Sequence, residues 1–442
     1  MLDKSLDRRS ELEVISIDVM VPYDHLLRKI DSVIDFSHIY ELTKEYYRDD
    51  FGRPAVDPVV LVKMAFIQHI FGIKSLRQTV KEVDMNMAYR WFLGFSFSTP
   101  IPHFATLSYA FATRFPSELF EAIFAWILEE IANNGFLSTS IVFVDSTHIK
   151  ANANRKKFYK DLALETARSY DKRLREEINA ERINNGDNPY DDNDKPPALK
   201  KVTKSITDPD SGLFVKGEHK IEFAYNAHVV CDKNNFIINK SVTAGNIHDS
   251  RVFDEVYDGT VNKFPEIDTV VVDAAYKTPW ICKKVIDDNR NISAPYKRPM
   301  GKSGYFRPYE YVYDEYFDCI ICPENNVLNY SSTDRNGYRT FRGKTSICKN
   351  CNSKTKCTVS KVKTVSKHIW SGYLELAEDF RHSPKGKSSY SLRGQTIERV
   401  FADAKEKHGM RYTVIKGLER VNNWVTMKLS AMNLKKFAMW AI

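Results

Sequence analysis

Two short apolar runs of this sequence each end on an aspartate. Ile-Val-Phe-Val leads to Asp145, and Val-Val-Val leads to Asp273. Runs this short and this rich in β-branched residues predict buried strands. Both carboxylates are therefore expected at strand ends, where α/β sheets form ligand sites. A single aspartate there is also a common turn former or helix cap, but two carboxylates held together are tolerated best when a cation binds them.

A third carboxylate, Glu398, lies in a stretch that predicts a helix from about Gly394. Lys405 follows seven residues later, two turns along the same face, and Arg393 lies just before the helix. Mg²⁺ prefers oxygen ligands, and flanking cations suit phosphate groups. The pattern therefore fits a metal ion beside a phosphodiester, although an exposed helix with ion pairs would look the same.

The elements that must position these acids can be read from the pattern of apolar residues. Strands are predicted near residues 141, 221, 236 and 269, and Asn234-Asn235 suits a hairpin turn between the second and third. Residues 154–205 are highly charged and helix-prone with a turn-rich end. That composition predicts a solvated surface insertion.

The N-terminal third predicts helices. Asp57 caps a helix that begins at Pro58, Gly72 ends it, and Ser75 with Gln78 forms a capping box for the next. Short helices joined by tight turns are typical of helix-turn-helix modules. Arg77 is one of the exposed basic residues that could contact DNA. An ordinary helical bundle with a charged, solvated face is the alternative.

Five of the seven cysteines crowd into residues 319–357. In an intracellular protein such a cluster indicates metal binding before disulfides. Two Cys-x₂-Cys pairs, one beginning at Cys319 and the other at Cys348, match zinc-ribbon spacing. Free buried thiols and an iron–sulfur cluster are the alternatives.

The overall composition sets broad limits on the number of domains, the partners and the localisation of the protein. The 442 residues are 43% hydrophobic and 28% charged, with a formal net charge of +8, so two or three globular domains are expected. The positive charge permits a polyanionic partner without requiring one. The charged start lacks the apolar core of a secretory signal, and the most apolar helical stretch is shorter than a membrane span. We therefore expect a cytoplasmic protein that contacts no membrane.

Four motifs in order resemble those of the bacterial insertion-sequence DDE transposases. VFVDSTHIKANAN resembles the first-aspartate motif, and NIHDS followed by VVVDAAY resembles the second. YSLRGQTIERVFADAKEKHGMR resembles the Tyr, Arg, Glu and Lys signature around the catalytic glutamate. FGRPAVDPVVLVKM and the following segments resemble the helical N-terminal domain. The sequence departs from the pattern by one extra residue between Arg393 and Glu398, which puts the role of Arg393 in question.

The resemblance implies an α/β fold with an RNase H-like core, a mixed sheet flanked by helices. Residues 1–135 would form an all-α, DNA-binding domain, and residues 136–297 the first part of the core. Residues 298–387 would form a cysteine-rich insertion. Residues 388–442 would complete the core with the helices that carry the catalytic glutamate.

The resemblance also implies the chemistry. Asp145, Asp273 and Glu398 would bind two Mg²⁺ or Mn²⁺ ions, cut double-stranded DNA at the element's inverted repeats and join the ends to a target. The protein would act as a homodimer at the nucleoid. The side chains expected to contact DNA are Arg393, Lys405, Tyr390, Lys150, His148 and Arg77. For His148 and Lys150, with His248 and Asp249, support of the site or a purely structural role is the alternative.

Related transposases place Cys-Pro before a Cys-x₂-Cys-x₅-Cys run. By that resemblance Zn²⁺ would bind Cys322, Cys348, Cys351 and Cys357, with Cys319 as an extra or alternate ligand. Two rival functions remain at this point: an RNase H-like nuclease that does not join strands, and a catalytically inactive DNA-binding regulator. Three retained acids argue against the second.

Overall fold

The computed structural model describes residues 12–47, 55–164, 169–191, 199–217, 220–296 and 301–441. Its N-terminal part is helical. The helices are α1 Ile17–Met20, α2 Leu26–Val33, α3 His38–Thr43, α4 Pro58–Ile70, α5 Leu76–Met85, α6 Met87–Phe92, α7 Phe104–Tyr109 and α8 Ser117–Asn133.

The predicted helix signals act locally as expected in most cases. The Asp57 carboxylate accepts a hydrogen bond from the Val59 amide at 2.7 Å, and Gly72 adopts φ +65° just after α4. The Ser75 hydroxyl caps α5 at 3.2 Å from the Gln78 amide. The capping box is nevertheless incomplete, because the Gln78 side chain donates to Glu82 instead.

A mixed sheet follows. Its strands in the described residues are β1 Ile141–Lys150, β2 Phe158–Leu164, β3 Leu199–Ser205, β4 Gly212–Lys216, β5 Lys220–Asp232, β6 Ile237–Ala244, β7 Thr269–Val271 and β8 Asn291–Ser293. The central five run in the order β6-β5-β1-β7-β8. Strand β5 is antiparallel to β1 and β6, while β1, β7 and β8 are parallel. The helices between these strands are α9 Asp171–Asn184, α10 Phe253–Lys263 and α11 Pro279–Asp287.

The predicted β5–β6 hairpin forms. Its turn includes Asn235 at φ +64°, a left-handed conformation that asparagine tolerates well. The Asp232 carboxylate closes the turn by accepting from the amides of Ser138 and Phe236 at 2.7 and 2.8 Å. Burial raises the pKa of Asp232 to about 6, although these amides oppose the shift.

Residues 154–205 differ from the predicted helical surface insertion. Among the described residues of this range α9 alone is helical, and its Leu174 and Ile178 pack into the main core. Strands β2 and β3 pair with each other, and β3 pairs with β4 to extend the sheet. Cross-strand pairing outweighs the local helix propensity here, which sequence windows cannot register. Part of the turn-rich end, residues 192–198, lies outside the described residues, as does the predicted domain boundary at 297.

The cysteine-rich segment contains a second, antiparallel sheet. Its strands are β9 Val312–Asp314, β10 Cys319–Ile321, β11 Val327–Thr333, β12 Tyr338–Arg342 and β13 Thr364–His368, with the short helices α12 Thr345–Lys349 and α13 Lys354–Cys357. Ile320, Leu328 and Phe341 form its small core. Three large side chains make a weak core, so this sheet needs further support.

Four helices end the described chain: α14 Ser371–His382, α15 Pro384–Ser391, α16 Ile397–Glu406 and α17 Leu418–Trp440. One face of α17 joins the core of the main sheet through Val421, Val425 and Leu429. The opposite side joins the core of the N-terminal helices through Met427, Ala431, Leu434, Phe437 and Ala438. Helix α17 therefore belongs to both hydrophobic cores. Among the described helices, none has the length and apolar character needed to cross a membrane.

A substitution at Gly72 can test the contact between the N-terminal helices and the segment after α16. A Cβ at Gly72 would lie 2.6 Å from the Lys407 carbonyl oxygen, whereas one at Gly94, with a similar φ of +71°, would meet nothing within 4 Å. We expect Gly72→Ala to lower the free energy of unfolding by about 1–3 kcal/mol more than Gly94→Ala, because only Gly72 adds overpacking to backbone strain. Urea denaturation measures both. Equal losses would contradict the contact.

Candidate active site

The parallel register of β1 and β7 brings two carboxylates side by side. Phe143 pairs with Val271, and Asp145 and Asp273 each follow two residues later. The Asp273 carboxylate accepts from the amides of Ala275 and Tyr276 at 2.8 and 3.3 Å, which fixes its orientation. The two aspartates therefore lie at one edge of the parallel part of the sheet.

Asp145 does not end its strand, contrary to the expectation from the sequence. Strand β1 continues to Lys150, and Asp145 pairs with Val229 of the antiparallel strand β5. The parallel pairing with β7 alone ends at Phe143. Asp145 is thus held in a continuous strand while facing the gap left where β7 stops.

Glu398 comes from the first turn of α16. The far end of β1 anchors this region, because the Lys150 amide donates to the Arg411 carbonyl at 3.1 Å and the Thr413 amide donates to the Lys150 carbonyl at 3.0 Å. The inward face of α16 packs into the main core through Ile397, Val400, Phe401 and Ala404. One strand therefore carries Asp145 and also holds the helix that carries Glu398.

Arg393 links the carboxylates. Its guanidinium forms an ion pair with Asp145, and its Nε lies 3.4 Å from a Glu398 oxygen. A 3₁₀ turn over Leu392–Gln395 is followed by a break at Thr396, and α16 begins at the next residue. The extra residue noted in the sequence is absorbed at this break, so Arg393 still reaches the acids.

The electrostatics of the cluster are dominated by burial. Burial raises the pKa of Asp145 to about 6; Arg393 opposes this shift, and the nearby charges of Asp273 and Asp249 add to it. Arg393 is only 7% exposed, and within the described residues its Nη1 has no hydrogen-bond partner. The site is therefore a partly buried group of acids around one guanidinium.

Asp249 is a fourth acid of this site, although the sequence suggested it only as a flanking residue. One of its carboxylate oxygens accepts hydrogen bonds from Ser146 and Asn226, both at 2.8 Å. His228 lies behind, with its Nδ1 3.3 Å from the Tyr276 hydroxyl. The signal available in the sequence was the polar segment just before the second apolar run. The Ser146 side chain points to the face opposite Asp145, because strand side chains alternate, so Asp249 acts on the first acid through its charge.

The predicted DNA-contact residues divide into three groups. Tyr390 lies with Arg393 near the acids, and burial raises its pKa. Arg77 and Lys405 line one cavity of about 770 Å³ between the N-terminal helices and the C-terminal segment. His148 stacks on Phe214 with ring centroids 3.6 Å apart, and Lys150 lies 4.0 Å from Glu222. Because strand side chains alternate, these last two point to the face opposite Asp145.

The structure distinguishes the cysteines by position. A small cavity of about 30 Å³ is lined by Cys322, Cys348, Cys351 and Cys357. Cys319 is buried within β10 and does not line it. Neither these thiols nor the carboxylates lie close enough together to form a metal site. Across the described residues, no three His, Cys, Asp or Glu side chains form a group that could hold a metal ion.

Solved structures resemble the chain only distantly. The piggyBac transposase synaptic complex with hairpin DNA is 8% identical and covers 95% of this chain and 76% of its own, with a TM-score of 0.34. The Mos1 transposase paired-end complex is 10% identical and covers 56% and 61%, with a TM-score of 0.17. A comparison with curated proteins gives no match.

Two family models match separate parts of the chain. Residues 15–113, the N-terminal helices, match the Transposase domain (DUF772). Residues 321–438, from the second sheet through most of α17, match the Transposase DDE domain. These two matches, to different parts of the described structure, support an insertion-sequence DDE transposase.

Proposed function

We propose that this transposase cuts DNA at the ends of its insertion sequence and joins those ends to target DNA, in a metal-dependent reaction. The observation that carries the proposal is that Arg393 contacts both Asp145 and Glu398 and lies near the charge of Asp273. Carboxylates held near one another repel, so their grouping suggests a cation site. The matched Transposase DDE domain suggests the kind of reaction.

The order of the central strands supports an RNase H-like core. The first acid lies on the first strand, the second follows the fourth strand of the central five, and the third lies on a later helix. In this proposal residues 136–297 and 388–442 form the core. Residues 1–135 bind DNA, residues 298–387 form an insertion, and a dimer holds the two element ends.

The donor chemistry of the three acids fits Mg²⁺ or Mn²⁺, which prefer carboxylate oxygens. When bound, two such ions would supply Lewis-acid stabilisation of the phosphodiester and a more acidic water or hydroxyl nucleophile. The chain's own residues hold two of these acids in place: the Ser146 amide donates to Asp145 at 2.8 Å, and two backbone amides donate to Asp273.

Arg393 now neutralises part of the charge that metal ions would neutralise. With a metal ion held by Asp145 and Glu398, Arg393 would no longer be needed to neutralise these acids. Arg393 would then be available for a DNA phosphate, which a guanidinium can bind through two parallel hydrogen bonds. This exchange accounts for a residue that contacts acids here and is expected at DNA.

The four cysteines of the small cavity are proposed to hold a structural Zn²⁺. Four thiolates suit tetrahedral zinc, and the weak core of the second sheet needs such support. The Tyr311 hydroxyl, 3.3 Å from the Cys357 sulfur, closes one side of the group.

The catalytic proposal predicts loss of cleavage with retained DNA binding. Replacing Asp145, Asp273 or Glu398 by Ala should lower the rate of Mg²⁺-dependent cleavage by at least about a hundredfold. Each substitution would remove a carboxylate that holds the metal ions, and these ions would stabilise the negative charge of the transition state. The assay uses DNA that carries the inverted repeats flanking the coding region. Asp403→Ala, an acid elsewhere on α16, is the control. Undiminished cleavage by a variant removes that residue from the site, and cleavage without joining of pre-cut ends favours the nuclease alternative.

The Arg393–Asp145 pair predicts strong coupling in stability. Arg393→Met should lower the free energy of unfolding by about 3 kcal/mol, because it leaves a buried carboxylate without its cation. Adding Asp145→Asn should recover part of this loss, since no charge is then left unpaired. Urea denaturation of both single variants and the double variant measures the coupling.

Arg399→Met is the matched control on α16, where an exposed arginine pairs with Asp403 at 3.5 Å. Its expected effect is under about 1 kcal/mol. Additive effects of the Arg393 and Asp145 changes would show that the pair does not hold the site.

The zinc proposal separates Cys319 from the other four. Cys348→Ala should lose bound zinc and lower the melting temperature, because one of four ligands is gone. Cys319→Ala should keep the zinc, since its side chain lies outside the small cavity. Metal analysis of the purified variants decides; loss of zinc in Cys319→Ala would favour the paired Cys-x₂-Cys set.

A further inference from the structure

A large cavity lies between the N-terminal helices and the end of α16, the helix that carries Glu398. It has a volume of about 770 Å³. One wall is the turn between α4 and α5, near Arg77, and another is the segment from Lys405 at the end of α16 to Ile415. Helix α17 forms its floor. The cavity therefore begins two helical turns from Glu398.

The lining combines positive charge with aromatic rings. Seven lysines and arginines line it: Lys74, Arg77, Lys405, Lys407, Arg411, Arg420 and Lys428. Among the lining residues in the described chain the one acid is Glu406, and it forms an ion pair with Arg411. Phe71, Phe104, Tyr412 and Trp424 contribute rings. Basic groups interleaved with aromatic rings are typical of surfaces that bind single nucleic-acid strands.

Lys428 is the unusual member of this lining. It is 3% exposed, donates to the His408 carbonyl and lies 4.5 Å from the Trp424 ring centroid. The titratable groups facing it are His408, after α16, and His69, on α4. Within the described residues, the buried Nδ1 of His69 also lacks a hydrogen-bond partner. A buried ammonium beside two histidines is costly unless an anion compensates it.

We propose that this cavity binds the phosphodiester backbone of a short unpaired stretch of DNA, with Lys428 as its buried cation. The inference rests on the proposed function, and it adds a second DNA site to the carboxylate cluster. A cavity of this volume matches a small-molecule pocket, so it admits a nucleotide or two of one strand but excludes a duplex. Lys405, on the helix of Glu398, connects the two sites.

Two duplex oligonucleotides test the proposal, one blunt and one with an unpaired tail. Wild-type protein should bind the tailed duplex about tenfold more tightly, the gain from one charged hydrogen bond. Lys428→Met should lose this gain and bind both duplexes alike. Fluorescence anisotropy at fixed salt gives the affinities.

Lys436→Met is the matched control. Lys436 lies on the same helix, donates to the Asn234 carbonyl and packs 4.5 Å from the Trp440 ring centroid, but it lies outside the cavity. It should keep the full gain from the tail. Arg77→Gln, at the exposed rim over Phe104, provides a second variant and should lose part of the gain.

Stability gives an independent readout. Burial lowers the pKa of Lys428 to about 7, so between about pH 7 and 10.5 the unfolded chain binds the proton that the folded chain lacks. Stability from this group therefore rises with pH across that window. Lys428→Met should raise the melting temperature at pH 7, because methionine places no charge in the buried position. The variant should also lack the increase of stability with pH.

The outcomes separate the two proposals. Wild-type protein that binds neither duplex overturns the proposed function and this inference together. Equal binding of both duplexes by wild type, or a full tail gain in Lys428→Met, overturns this inference alone. A deoxynucleoside monophosphate that competes as well as the tailed duplex makes the cavity a mononucleotide site and overturns the assignment to a DNA strand.

Discussion

The candidate active site depends on one electrostatic constraint. Asp145 is largely buried near the charges of Asp273 and Asp249, and a carboxylate in such surroundings keeps its charge only with a cation close by. Arg393 provides that cation from a turn far along the chain. The parallel register of β1 and β7, the anchoring of α16 to the end of β1 and the break at Thr396 all serve to bring these groups together.

Much of this arrangement could be predicted from sequence because its signals are local. Short β-branched runs marked the strands that carry Asp145 and Asp273, and cap residues marked α4 and α5. What depends on distant partners could not be predicted. The continuation of β1 past Asp145 follows from its pairing with β5, and β2 is a strand because β3 lies beside it.

Individual side chains were missed for the same reason. Asp249 contacts the site through Ser146 and Asn226, two residues on other elements. Lys428 lies on α17, and its burial becomes apparent only when α4 and the segment after α16 cover it. Burial of a charge is a property of the assembled fold, not of a sequence window.

Helix α17 supplies side chains to both hydrophobic cores and follows every other element described along the chain. During synthesis, the N-terminal helices and the sheet therefore leave the ribosome before either core can be completed. Domains that fold during translation usually do so one after another. Here α17 joins both hydrophobic cores, so neither core is complete until α17 has been synthesised. A nascent chain that stops before α17 would lack both completed cores.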